Sequence, residues 1–206
     1  MSEVDPIEAH PIEVESYRIL GERVDLSSLP PVSRAVVARV IHASADVEFA
    51  VSMVVDEGAA RAGVEALRHG APVVVDVEMV AAGITGVPVC CYLGRVPAGA
   101  EPTRSAAAIR LAAAEHPRGA VFVIGCAPTA LTELVELAAA GQVEPALVIG
   151  LPVGFVGAAE AKAALRASGL PAVSNVGEKG GSAVAAAALN ALWRETRSTH
   201  VREARG

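Results

Sequence analysis

The feature that most constrains this chain is a change of rhythm after Gly70-Ala71-Pro72. Val73-Val74-Val75-Asp76-Val77 is an unbroken, largely β-branched run, the pattern of a strand covered on both faces. Four short runs of the same kind follow, at about 87–93, 120–125, 146–151 and 172–176. Helical patterns lie between and after them, at about 79–83, 103–115, 127–140, 158–167 and 181–193. This repeated alternation calls for right-handed crossovers, and so for a five-stranded parallel sheet with helices on both faces, a three-layer α/β/α arrangement.

The part before residue 70 reads as an N-terminal helical extension. Pro11 suits the first turn of a helix running through Ile12, Tyr17, Ile19 and Leu20, and Ser27-Ser28-Leu29-Pro30-Pro31 ends it and starts the next. Further helical segments are expected at about 47–55 and 58–69. No composition break divides the chain, so residues 1–206 are expected to form a single domain, with 1–10 and 195–206 as flexible flanks.

Composition removes several function classes. Only 3% of residues are aromatic and the net charge is −6, so neither stacking platforms nor a positive field for nucleic acid is present. No apolar run approaches the ~20 residues needed to span a bilayer, and the acidic stretch 1–15 lacks the apolar core of a signal peptide. A cytoplasmic location is therefore expected. Cys90, Cys91 and Cys126 form no C-x-x-C pair, which argues against a disulfide framework or structural zinc.

In a parallel sheet the ligand sits beyond the carboxyl ends of the strands. Three of the stretches there are glycine-rich, around Gly125, Gly150–Gly154 and Gly177–Gly181, and each is either plain turn geometry or an anion site. No G-x-G-x-x-G follows the first strand, and no P-loop, G-x-S-x-G or H-E-x-x-H occurs. Acid–base chemistry has one strong candidate stretch, Arg39-Val40-Ile41-His42-Ala43-Ser44-Ala45-Asp46. On a helix, Val36, Val37, Val40 and Ile41 share a packing side, while Arg39, His42 and Asp46 share a wedge of roughly 60°. A lone histidine is weak evidence, but an arginine one turn back and a carboxylate one turn ahead could hold an imidazole beside an anionic ligand. Arg104, at the start of a helix where a cation opposes the helix dipole, points to a bound anion.

The same octapeptide, Asp76 to Thr85, Thr103-Arg104-Ser105-Ala106-Ala107, Ala127-Pro128-Thr129-Ala130-Leu131, Gly150 to Glu160 and Gly180-Gly181-Ser182-Ala183 stand in an order and spacing that resembles the precorrin-8X methylmutase family, from about residue 16 to 193. The resemblance implies a flavodoxin-like α/β/α fold and an isomerase of cobalamin biosynthesis. Such an enzyme moves a methyl group from C11 to C12 of precorrin-8X or cobalt-precorrin-8, giving hydrogenobyrinate or cob(II)yrinate. It also implies a homodimer that works without cofactor or metal. Carried over residue by residue, His42 becomes the proton donor to the macrocycle, and Ser16, Arg39, Thr85 and Arg104 become substrate contacts. Glu178-Lys179 stands where many members carry an Arg-Gly-Arg-like run, and Cys126 where many carry asparagine, departures that bear on carboxylate contacts. Two other readings compete with the methylmutase: a corrinoid-binding carrier without catalysis, and a flavodoxin-like domain holding a flavin or nucleotide.

Overall fold

The structure, a computed structural model, describes residues 10–203. Of the flanks expected to be flexible, residues 1–9 and 204–206 lie outside the described residues, and 195–203 form the end of a helix.

Three helices open the chain: α1 (Pro11–Arg23), α2 (Pro31–Ser44) and the short α3 (Phe49–Ser52). Pro11 occupies the first turn of α1, as its fixed φ and missing N–H favour. Then come β1 (Met53–Val55), α4 (Glu57–Arg68), β2 (Val73–Val75), α5 (Glu78–Gly83) and β3 (Cys90–Cys91). A 3₁₀ turn, Leu93–Arg95, leads to α6 (Arg104–Glu115), whose N-cap Thr103 accepts a hydrogen bond from the Ala106 N–H at 3.1 Å. The chain ends with β4 (Val121–Ile124), α7 (Pro128–Ala139), β5 (Leu147–Gly150), α8 (Ala158–Ala167), β6 (Ala172–Asn175) and α9 (Ser182–Glu203).

The sheet has six strands in the order β1-β6-β5-β4-β2-β3, and this corrects the expected five. The parallel part is β2 to β6, while β1 runs antiparallel to β6 in a stretch that the sequence pattern marked as helical. The reason is local. Helix α3 stops at Ser52, and Met53-Val54-Val55 then covers the open edge of β6, with Met53 opposite Asn175 and Val55 opposite Val173. At the other edge the expected strand over 87–93 shrinks to Cys90–Cys91, because the chain turns into the 3₁₀ segment. Taken alone, the parallel strands follow the order 2-1-3-4-5 of flavodoxin-like sheets, which puts the switch point between β2 and β4.

Alternation along each strand builds the two cores. Val73, Val75, Val121, Val123, Leu147, Ile149 and Val173 face one layer, containing α2, α4 and α9. Val74, Phe122, Ile124 and Val148 face the other, made by α6, α7 and α8. Helix α2 buries Val36, Val37, Val40 and Ile41 with Ala188, Leu189 and Leu192 of α9, so its expected packing face is the real one. Its other side stays near the surface, under α1. Close approach at the switch point requires Gly125, where a Cβ would lie 2.8 Å from both Ala185 Cβ and Val80 Cγ2.

Candidate active site

Helix α1 has no buried residues, yet three of its side chains organise the polar side of α2. Ser16 Oγ and His42 Nδ1 are 2.8 Å apart. The Tyr17 ring stacks on the imidazole, with centroids 4.9 Å apart and planes within 8° of parallel. The ring is thus fixed by an edge contact and a face contact, both from one turn of α1. No hydrogen bond from the described residues engages Nε2, the nitrogen left for a ligand. Burial, and after it the positive charge of Arg39, holds the His42 pKa below that of a free imidazole.

Beside the histidine lies a cleft of about 310 Å³ between α1 and the end of α2. Its walls are Ile12, Ile19, Leu20, Ile41 and Val47, and Glu15, Ser16, Arg23 and His42 supply its polar groups. An apolar cleft with a few convergent polar groups is the common form of a small-molecule site.

One turn before His42, Arg39 Nη1 donates to Glu13 Oε1 at 2.6 Å, and Arg194 Nη1 of α9 donates to the same oxygen at 2.8 Å. The hydrogen bond from Arg194, with the charges of both arginines, holds the Glu13 carboxyl below its usual range. Arg39 Nε is buried with no hydrogen-bond partner. Sequence reading found Ser16, Arg39 and His42 but missed Glu13 and Arg194. Glu13 could have been found, since it precedes Ser16 by three positions and so shares its helix face. Arg194 lies beyond the expected helix end at Trp193 and gave no signal.

Asp46 does not belong to the wedge expected for it. Helix α2 ends at Ser44, and Ala45 takes the left-handed φ of 54°, which carries Asp46 off the helix surface. Its carboxylate instead meets Lys179 Nζ at 2.7 Å, and Lys179 also reaches Glu48 at 2.8 Å. The departure Glu178-Lys179 therefore ties the end of α2 to the glycine turn after β6.

Thr85 and Arg104 stand apart from this cluster, and neither hydrogen-bonds to Ser16, Arg39 or His42. Both are exposed. Thr85 donates its backbone N–H to Asn190 Oδ1 of α9 at 2.9 Å, and Arg104 Nη2 donates to the Leu93 carbonyl at 3.1 Å. The arginine at the start of α6 thus has a backbone acceptor of its own.

At the switch point the chain supplies its own anion. Asp76, fully buried, accepts the N–H groups of Gly125 at 3.1 Å, Cys126 at 2.9 Å and Ala127 at 2.8 Å. These amides lie at the start of α7, beside the switch-point crevice where ligands bind in sheets of this topology. Their occupation weighs against the flavin or nucleotide reading. Burial outweighs the three donors and moves the Asp76 pKa above its ordinary value. Among the described residues, no group of three or more His, Cys, Asp or Glu is placed to hold a metal ion, and no helix is long and apolar enough to cross a membrane. A larger cavity, about 440 Å³, lies at the opposite end of β6 beside Asp56 and Arg166, and contains no histidine.

Comparison with known proteins bears directly on this cluster. The family model described as precorrin-8X methylmutase matches residues 11–195, which takes in α1, α2 and Arg194 together. The cobalt-precorrin-8 methylmutase of Methanothermobacter thermautotrophicus is 42% identical over 193 residues, covering 90% of this chain and 92% of its own. The precorrin-8X methylmutase of Pseudomonas aeruginosa is 43% identical over 194 residues, covering 88% and 93%. The solved structure of a precorrin-8X methylmutase from Thermus thermophilus superposes with a TM-score of 0.82 at 38% identity, covering 92% of this chain and 99% of that one. A match spanning the fold, the histidine cluster and nearly the full length of these relatives means that this chain belongs to the precorrin-8X methylmutase family.

Proposed function

We propose that this chain, acting as one domain, moves the C11 methyl group of precorrin-8X or cobalt-precorrin-8 to C12, giving hydrogenobyrinate or cob(II)yrinate. The reaction breaks one carbon–carbon bond and forms another within the same molecule, so no atom is gained or lost. What the protein must add is a grip on a polycarboxylate and a proton that loosens the conjugated ring.

The observation that carries this reading is the fixed imidazole of His42. Ser16 can donate its hydroxyl proton to Nδ1 or accept one from it, so the ring nitrogen stays satisfied in either protonation state. Nε2 is then free to lend a proton to the macrocycle and take it back. A pKa lowered by burial makes the imidazolium a stronger acid, which suits donation to a weakly basic ring atom. Arg39 lies one turn away for substrate carboxylates, and Thr85 and Arg104 are exposed to contact the outer part of so large a ligand.

The reading extends to a homodimer, supported by the exposed apolar side chains of Ile12, Phe155 and Val156, the last two about nine-tenths exposed. It also places the protein in the cytoplasm, which suits the free thiols of Cys90, Cys91 and Cys126.

The test is optical, because methyl migration changes the conjugation without changing the mass. Purified protein is expected to shift the visible spectrum of precorrin-8X, and His42→Ala to lower kcat by about 10²- to 10⁴-fold with the fold intact. Unimpaired turnover in that variant removes His42 from the chemistry. Binding without any spectral change by the unaltered chain would favour the carrier instead.

A further inference from the structure

We infer that Arg39 and Arg194 together form a subsite for one carboxylate of the substrate, and that Glu13 occupies it in the free protein until that carboxylate displaces it. The inference rests on the methylmutase reading and adds to it a binding residue, Arg194, and an internal competitor, Glu13.

Three observations converge. Two guanidinium groups from different helices, α2 and α9, meet on a single carboxylate oxygen at 2.6 and 2.8 Å, so the pair is already shaped to hold a carboxylate. The arrangement is incompletely satisfied: Arg39 Nε is buried without a partner, whereas a carboxylate engaging Arg39 through both Nε and an Nη would satisfy it. The group now in place is easily moved. Glu13 sits in the first turn of α1, a helix with no buried residues, and keeps a favourable position at the helix N-terminus when it swings away. His42 lies one turn along α2 from Arg39 and touches the same helix α1 through Ser16 and Tyr17. A carboxylate arm held by the two arginines therefore sets the macrocycle beside the proton donor. Glu13 meanwhile bridges the two cations while the site is empty.

The consequence is a pair of opposite effects that a merely structural ion pair does not produce. Steady-state kinetics on precorrin-8X are measured for the unaltered chain, Arg194→Gln and Glu13→Gln, at low and at raised salt. Arg194→Gln is expected to raise KM by about 10- to 100-fold, with the change in KM exceeding that in kcat, as for a lost charge-assisted hydrogen bond. Glu13→Gln is expected to lower KM severalfold, because the competitor has lost its charge. Arg194→Lys, which keeps the charge and loses the planar fork, is expected to raise KM less than Arg194→Gln and serves where that variant folds poorly. An unchanged or raised KM in a folded Glu13→Gln overturns the exchange, since a structural pair predicts weaker binding there. An unchanged KM in the arginine variants overturns the subsite. If the unaltered chain does not convert precorrin-8X at all, the methylmutase reading fails first, a result distinct from either.

Discussion

The Asp76 knot and the His42 cluster are both polar assemblies in an apolar chain, and they differ in completeness. Asp76 is sealed, with three N–H donors converging on its carboxylate and no exposed surface. The His42 cluster is half-buried, keeps one ring nitrogen unengaged and leaves Arg39 Nε without a partner. The contrast separates two uses of charge. A fully satisfied buried group fixes backbone, while an incompletely satisfied one at a cleft is ready for a ligand. The position of the knot sharpens the point. In this topology the crevice between β2 and β4 is the usual place for a ligand, and here the chain engages three of its amides with its own carboxylate. The histidine cluster proposed to bind and protonate the substrate lies instead on α1, α2 and α9, on one side of the sheet.

The largest effect should come from breaking the knot. Asp76→Ala leaves three amides at the start of α7 without an acceptor, at about 1 kcal/mol or more for each that water cannot reach. A loss of at least about 3 kcal/mol is expected, seen as a lower midpoint in chemical denaturation. Asp76→Asn, which keeps an acceptor oxygen, should lose less. If Asp76→Ala were as stable as the unaltered chain, the crevice would be open to a ligand after all, and the division drawn between the two regions would fail.

A smaller effect tests the link between the two regions. Lys162, fully buried on α8, donates to Asn175 Oδ1 at 3.0 Å and to the Lys179 carbonyl at 2.6 Å, beneath the turn whose Lys179 side chain reaches Asp46. Burial, and then the nearby Arg166, pulls its pKa down to about 8. In the unfolded chain a lysine keeps its proton to about pH 10.4. Between those values the unfolded state binds more protons than the folded one, so stability is expected to rise with pH across that window. Lys162→Met should flatten the rise, measured as denaturation midpoints at a series of alkaline pH values. An identical slope in both proteins would show that Lys162 stays charged where it lies.

How far the sequence reaches follows the same division. The parallel strands were legible because each is a short apolar run buried on both sides, and the crossover helices because their boundaries carry caps such as Thr103. Strand β1 was not, since Met53-Val54-Val55 is a strand only by virtue of the open edge of β6, which no local pattern reveals. In the proposed site, His42 and Arg39 were legible as neighbours on one helix and Arg104 as a cation at a helix start, and the family resemblance brought in Ser16 and Thr85. The partners reached across the fold were invisible: Arg194 lies 155 positions beyond Arg39, and the two meet on Glu13. Asp46 was misplaced because one left-handed residue, Ala45, ends the helix two residues too soon for periodicity to hold.

The smallest effect concerns the imidazole itself. Burial and Arg39 keep the folded His42 pKa below that of an unfolded histidine, about 6.5. Just below that pH the unfolded chain takes up a proton that the folded chain resists. Stability is therefore expected to fall as the pH drops through this window, until the folded-state pKa is passed as well. His42→Gln removes this contribution, so the denaturation midpoint of the unaltered chain should fall more than that of the variant between about pH 7 and about pH 5. Glu13 opposes the shift, so Glu13→Gln should deepen the fall. A bound polycarboxylate would act in the opposite sense, bringing more negative charge to Arg39 than the single Glu13 carboxylate it displaces. The slope would then shrink in the presence of substrate or product, whereas ligand binding that leaves it unchanged would place the carboxylate away from Arg39 and return the histidine cluster to the company of the sealed knot.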